Sequence, residues 1–312
     1  MPTDIELIRI PTPDPEHHAH LVHSGFVVKP SRVSWLAGTL DSEELFLRAL
    51  PTVERQTIAK SRRALVKSGI EIHEPEILTE SSLDAFLRQY EQQVAAMRYG
   101  VAFATSERDT MLDDLDRYMI VNAYVGRQLI GGCVSLVRRD RDTLHIRFSA
   151  TDPRARKDSL VRPLYLHAIE AGRELGLGAV CLGNDTTLYG HIVKPGLFNF
   201  KARFGFVPVP AHLFSQTHPA DEADLVRTLG PLPDPSLLLG YTSQDRMAQA
   251  DRLCWQAAQH AGSIRELIIA ARATRPLSLV VLSSSEDVEI VVEAKRYRAD
   301  FLGDVEVRRL PR

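Results

Sequence analysis

The sequence predicts a mixed α/β protein, and three observations within residues 118–210 carry that expectation. First, strand patterns follow one another at 118–125, 128–138 and 144–150, separated by Gly126-Arg127 and the Asp-rich turn at 140–142. Second, the next segment spaces Leu164, Ala168, Ala171 and Leu175 so that a helix gathers them into one apolar stripe. Third, a buried strand pattern at 179–182, a Gly- and Pro-broken helix and a last strand complete a β-β-β-α-β-α-β order, suited to helices packed on a sheet.

Taken from the start, residues 2–15 are punctuated by Pro and Asp around an alternating piece at 5–10 that fits an edge strand. His17, His20 and His23 recur every third residue, but no Cys, Asp or Glu nearby completes a tetrahedral set. A solvated histidine surface is therefore expected, and no metal. Residues 21–40 read as irregular strand pieces around Trp35. Asp41 or Ser42 caps a helix, and a second helix at 51–68 stops at Gly69. The polar positions of that second helix are basic: Arg55, Lys60, Arg62, Arg63 and Lys67. They suit a polyphosphate or RNA ligand. They equally suit a solvated face, because Arg and Lys are good helix formers and no aromatic is interleaved for base stacking. A short strand at 71–78, a helix carrying Leu83, Phe86, Leu87, Tyr90 and Val94, an apolar loop at 97–103 and a polar helix at 105–115 lead into the three strands.

Asp158 or Ser159 is placed to cap the long helix after the third strand, and Gly176 to close it in the left-handed conformation. Arg154, Arg156 and Lys157 lie just ahead of it. Helix N–H groups, the helix dipole and three cations favour an anion there, so these residues and Ser159 are candidate ligands for a charged cosubstrate.

Composition excludes some classes. A net charge of -2 over 312 residues gives no global attraction to nucleic acid or anionic membrane. Cys133, Cys181 and Cys254 have no metal spacing and read as free thiols of a reducing compartment. No apolar run is long enough to span a membrane and the acidic, Pro-rich start is unlike a signal peptide, so a cytoplasmic protein is expected. Beyond residue 212, a Pro-rich linker at 213–235 and a small C-terminal α/β module at 236–312 are expected. That module reads as strand 237–241, helix 244–260, strands 265–271 and 277–282, helix 286–297 and strand 305–310; a homodimer contact or a lid are the roles open to it. The expected division is thus an N-terminal segment 1–50 packed on a core 51–212, then linker and module.

Two motifs carry a family resemblance. One is the helix Leu164-Tyr165-Leu166-His167-Ala168-Ile169-Glu170-Ala171-Gly172-Arg173-Glu174-Leu175-Gly176, followed by a strand ending in Gly183. The other is Phe198-Asn199-Phe200-Lys201-Ala202-Arg203-Phe204-Gly205. In that order they resemble the GNAT acyltransferase superfamily, and within it the Fem-like peptidoglycan-bridge transferases and their single-domain relatives, over residues 50–210. Leu50-Pro51, Arg55, Ile58 and Lys60-Ser61-Arg62-Arg63 are similar to a helix ahead of the Fem-like core.

The resemblance implies a GNAT-like mixed central sheet flanked by helices, and an acyl group moved to the amine of a small molecule or amino acid. The donor it implies is acyl-CoA or an aminoacyl-tRNA, with no tightly bound cofactor. It places Ser149 and Ala150 at the reacting carbonyl, Tyr99, Phe103, Lys194 and Phe200 on the acceptor side, and Lys201 near the carbonyl oxygen. One departure stands out: the glycine-bearing loop common at this helix start in acetyl-CoA-dependent members is replaced by residues 154–160, which contain no glycine.

The residues themselves leave roles open. Lys201, flanked by Phe200 and Phe204, is either a partly desolvated cation suited to an oxyanion or a lysine snorkelling off an aromatic helix face. Asp185, Tyr189, His191 and Lys194 cluster after the buried strand, where His191 or Asp185 can accept an amine proton, or Asn184-Asp185 merely caps a turn. No Ser/His/Asp order and no Cys/His pair stands out, so covalent catalysis is not expected. Three functions remain: a thioester-dependent N-acyltransferase, which is favoured, an aminoacyl-tRNA-dependent transferase, and a non-catalytic GNAT-fold binding protein.

Overall fold

The computed structural model describes residues 7–97, 100–156, 159–191, 193–213, 220–230, 232–241, 243–259, 264–284 and 294–310, without the side chains at 156, 244–245 and 254–259. It is mixed α/β, with sheets flanked by helices. The chain forms two compact units, one of residues 37–183 and a composite one of 1–36 with 184–312. The boundaries fall inside the strands Arg32–Gly38 and Ala179–Thr186.

In the 37–183 unit the three expected strands form an antiparallel meander, Tyr118–Val125, Gln128–Arg138 and Thr143–Thr151. Two short strands, Ile70–Ile72 and Glu76–Ile77, pair with the outer side of the first, where a single strand at 71–78 was expected. Ala179–Thr186 joins the other side in parallel. The helix Glu80–Ala95 covers one face with Leu83, Phe86 and Leu87 packed on Tyr118, Ile120, Val134 and Ala150. Val161–Glu174 runs the expected helix: Leu164, Ala168 and Ala171 are buried and Leu175 is half-buried at its end. Gly172 lets it lie close to the sheet, since a Cβ there would approach Thr39, Leu144 and Val180 side-chain atoms within 3.3–3.5 Å.

The start of that helix is not capped as expected. Leu160 holds the N-cap position without a side-chain bond, and Asp158 lies outside the described residues. Ser159, at φ 57°, offers its carbonyl to Ser61 Oγ at 3.3 Å. Tertiary docking replaces the cap: Arg162 Nε donates to Glu54 Oε1 at 2.5 Å, and Glu54 is 2% exposed. The helix Thr52–Lys67 thereby buries Glu54, Ile58, Ser61 and Leu65 and leaves Arg55, Lys60, Arg62, Arg63 and Lys67 exposed.

The composite unit corrects the expected division of the chain. Residues 213–235 are not a plain linker, because Asp221–Val226 is the central strand of a three-stranded sheet, between Leu7–Pro11 and Val27–Pro30. Its charged sequence hid it. Asp224 is fully buried, accepts two bonds from Arg9 at 2.8 Å and lies 3.3 Å from Lys29 Nζ, while Glu222 takes Lys29 Nζ at 2.6 Å. Burial of charge is tolerated because each is paired across the ladder.

Nor is 236–312 a separate module. Leu188–Tyr189 adds to its sheet by pairing with Ser236–Gly240, which continues through Leu277–Ser283 to Leu302–Arg309. Residues 265–271 are helical, within Ile264–Thr274. A short apolar run does not declare its period, and the helix buries Ile264, Leu267, Ile268 and Ala271 while Ile269 is 66% exposed. Of the helix expected at 286–297, residues 286–293 lie outside the described residues. Val207–Pro210 pairs antiparallel with Arg32–Gly38 around the buried Trp35. Among the described residues no helix is long and apolar enough to cross a membrane.

The buried pair between helices gives a stability test. Arg162→Met strands the Glu54 carboxylate and should lower the unfolding free energy by about 3–5 kcal/mol in urea denaturation. Glu54→Gln in the same chain should recover most of the loss. Breaking the exposed Arg62–Glu43 pair should cost about 0–1 kcal/mol by the same measurement.

Candidate functional site

The feature that opens a site in the 37–183 unit is an interrupted ladder. Thr143–Thr151 pairs with Ala179–Thr186 only at Thr143–Ala179, Leu144–Val180 and His145–Cys181. Past that point two local irregularities turn the strands aside. Phe148 stands opposite Val134 and Ile146 opposite Ser135, so Arg147 is the extra residue of a β-bulge. Gly183 takes φ 73°, with His145 Nε2 only 3.2 Å from where a Cβ would stand. Arg147 is held in place by Tyr118 Oη at 3.0 Å, by an ion pair with Glu107, and over the Phe148 ring at 5.1 Å.

Beyond the last pair, the edge at Ser149–Thr151 is met by a side chain. Gln93, on the last turn of Glu80–Ala95, donates Nε2 to the Ser149 carbonyl at 3.4 Å and accepts from Thr151 N at 2.8 Å. On its other side the chain stays tied to the meander, with Asp152 N on the Ile130 carbonyl at 2.7 Å. The Ser149 hydroxyl lies 3.0 Å from Tyr165 Oη, and burial pushes that phenol up to about 12, so it stays a neutral O–H. Ala150 is buried in the core under Glu80–Ala95.

The expected anion loop is different in detail. Pro153–Arg156 forms its own short helical turn, and Arg154, 76% exposed, is paired with Asp152 through Nη2 at 3.0 Å. Asp152 Oδ1 also takes Arg154 N at 2.8 Å. Arg154 and Asp152 line a concavity of about 230 Å³ with Ser68, Ile70, Val125, Gln128, Ile130 and Ala155. The Arg156 side chain and the whole of Lys157 lie outside the described residues. So does Tyr99; its neighbour Phe103 opens the short helix Phe103–Ser106 and is 58% exposed, with Met97 and Val101 also outward.

In the composite unit three of the four nominated catalytic residues meet. Lys201 Nζ lies 2.8 and 2.9 Å from the two Asp185 oxygens, Tyr189 Oη donates to Asp185 Oδ2 at 3.1 Å, and Trp35 Nε1 donates to Tyr189 Oη at 3.1 Å. All four side chains are buried. Burial, reinforced by the Asp185 charge, holds the Tyr189 phenol well above its ordinary range, so it is a donor and not a base. Lys201 is desolvated, as the sequence suggested, but by Trp35, whose ring centroid is 5.9 Å from Nζ. Phe200 and Phe204 stack on each other at 5.7 Å. The Phe198 ring braces the group, edge-on to Trp35 and to Tyr189 at 5.6 Å. His191 and Lys194 are exposed and stand apart from this chain, Lys194 at the N-cap of Pro195–Arg203.

A family model described as an acetyltransferase (GNAT) domain matches residues 53–191. These residues form a GNAT acyltransferase domain. The acyltransferase character of the protein lies in this segment, and the sheet order and interrupted ladder above are the frame of its GNAT domain. No curated protein matches the chain. Among solved structures it is similar to one titled "Crystal structure of FemX", at 10% identity over 70% of this chain and 72% of that one, with a TM-score of 0.47. It is similar to the C-terminal domain of a putative lysylphosphatidylglycerol synthetase from Agrobacterium fabrum at 13% identity, covering 69% and 67%, with a TM-score of 0.38. The ribosomal-protein-S18-alanine N-acetyltransferase from Escherichia coli is similar at 15% identity, covering 50% and 93%, with a TM-score of 0.34.

Three features of the GNAT domain and its strand partners were not nominated from the sequence. Gln93 gave no signal, since a glutamine late in an amphipathic helix is ordinary. His145 and Cys181 are register partners at the last rung of the parallel ladder, a Cys/His pair visible only once the strands are paired. Trp35 stands in the sequence only as the centre of irregular strand pieces. Burial pushes the Cys133 thiol up to about 12, so that cysteine is inert, as a buried free thiol should be.

Because Lys201 and Asp185 are buried together, removing one strands the other. Lys201→Met or Asp185→Asn alone should each lower unfolding free energy by about 3–5 kcal/mol, and the double variant should lose much less. Independent, additive losses in the denaturation midpoints would show that the two charges are not coupled.

Proposed function

We propose that the GNAT domain transfers an acyl group from a thioester donor, acyl-CoA, to the amine of a small molecule or amino acid. The observation that carries this reading is the strand edge at Ser149–Thr151, which beyond the His145–Cys181 rung is met by the Gln93 side chain in place of a neighbouring strand. An extended donor arm has backbone groups to bind there, and backbone N–H groups fixed at a strand end are preorganised for a developing oxyanion. The concavity beside Arg154 supports a site for the donor's phosphates, with Arg154 as the cation and Asp152 as the group that orients it.

The step is a direct displacement. The amine nitrogen attacks the thioester carbonyl carbon, the carbon–sulfur bond breaks, the thiolate leaves, and the amine proton passes through a base to the thiolate. Asp185 accepts from Lys201 and Tyr189 at once, so its oxygens are engaged and it is not the base. We assign Lys201, with Asp185 and Tyr189, the positioning of the Phe-Lys helix.

The experiment is thiol release. Purified protein with acetyl-CoA or longer acyl-CoAs and a panel of amines should release free CoA only when an amine is present. Release that ignores the amine, or none with any acyl-CoA, would sink the proposal. Peptide-bond formation with aminoacyl-tRNA in its place would favour the second reading, which the five exposed cations of Thr52–Lys67 support. For the donor's phosphates, Arg154→Glu should raise the KM for acyl-CoA about tenfold with kcat little changed. An unaltered KM would take Arg154 out of the donor site.

A further inference from the structure

The Gln93 carboxamide makes one donated and one accepted hydrogen bond, to the Ser149 carbonyl at 3.4 Å and from Thr151 N at 2.8 Å. Those two backbone groups belong to residues i and i+2 of one strand, which point to the same edge. One N–H and one C=O facing them is what a single residue of an added strand would supply, from the two peptide units that flank it. The primary amide of Gln93 is therefore an intramolecular copy of a strand neighbour. Its orientation follows from the partners, since Thr151 N can only donate and the Ser149 carbonyl can only accept.

Gln93 is not needed to hold its helix down. Leu83, Phe86 and Leu87 already seat Glu80–Ala95 in the core, with Val94 buried beside it. Gln93 itself is only half-buried, so its carboxamide has a route to water when the edge is taken by something else. What it does supply is satisfaction of two strand-edge groups that would otherwise stand unpaired.

We propose that Gln93 is a displaceable gate on this edge, closing it in the free protein and yielding to a donor whose acyl-bearing arm carries secondary amides, as that of coenzyme A does. The inference rests on the thioester reading above and adds a selection rule. A donor with amides in its arm replaces both bonds that Gln93 gives up; a thioester without amides cannot, and leaves Ser149 and Thr151 unpaired.

The test compares the wild-type protein with Gln93→Ala by calorimetry with CoA and by amide hydrogen exchange at Thr151. Without its gate the variant should bind CoA about fivefold to tenfold more tightly, because no intramolecular bonds are displaced. Thr151 N–H should exchange fast in the free variant and become protected when CoA is added. The KM of an amide-free acetyl thioester should not change. Equal CoA affinity in the two proteins, or a Thr151 amide that CoA leaves unprotected, overturns the gate while thiol release from acetyl-CoA still upholds the transferase reading. Failure of both proteins to bind or use any acyl-CoA overturns both.

Discussion

Thr143–Thr151 and Ala179–Thr186 stay paired through three rungs and then part. The cause is local and covalent in origin: an inserted residue at Arg147 and a left-handed glycine at Gly183 bend the two strands where a regular ladder would have closed. Much else in the GNAT domain follows from that parting. Backbone groups at Ser149 and Thr151 are left on an edge inside the sheet, and a buried edge must find partners. The helix Glu80–Ala95 is long enough to bring Gln93 to it, and the short turn Pro153–Arg156 follows at once where the strand runs out.

A second constraint is the treatment of buried charge. Glu54 with Arg162, Asp224 with Lys29 and Arg9, and Asp185 with Lys201 each put a charge where water is largely excluded. Such pairs add little net stability compared with apolar neighbours, but each is costly to break from one side. They therefore fix which segments meet. Helix docks on helix through the first, a charged strand is kept at the centre of a sheet by the second, and the Phe-Lys helix is locked to the end of Ala179–Thr186 by the third.

How far the sequence could be read depended on the kind of signal. The meander at 118–151 and the helix with Leu164, Ala168 and Ala171 follow from period and turn chemistry, and they are present as expected. Failures came where burial and polarity disagree. Asp221–Val226 looked like linker because Asp221, Glu222 and Asp224 make three of its first four residues carboxylates, one of them buried, and 265–271 looked like strand because an apolar run shows no period by itself. Of the nominated site residues, Lys201, Asp185 and Tyr189 lie together, while His191 and Lys194 are on the surface. The buried setting of Lys201 was legible from its aromatic flank, but the Trp35 ring over its Nζ is 166 positions earlier in the chain and was not.

By itself, then, the sequence determined the fold class, the order of strands and helices in the GNAT domain and the acyl-transfer resemblance carried by its Phe-Lys and long-helix motifs. These are local properties: side-chain period, turn residues and caps are written within a dozen neighbouring positions. Only the tertiary structure decided where the parallel ladder stops, which charges are buried as pairs, and that Gln93 reaches the strand edge. Each of those depends on groups far apart in sequence meeting within hydrogen-bonding distance, and no local pattern encodes a distance between segments that are joined only by folding.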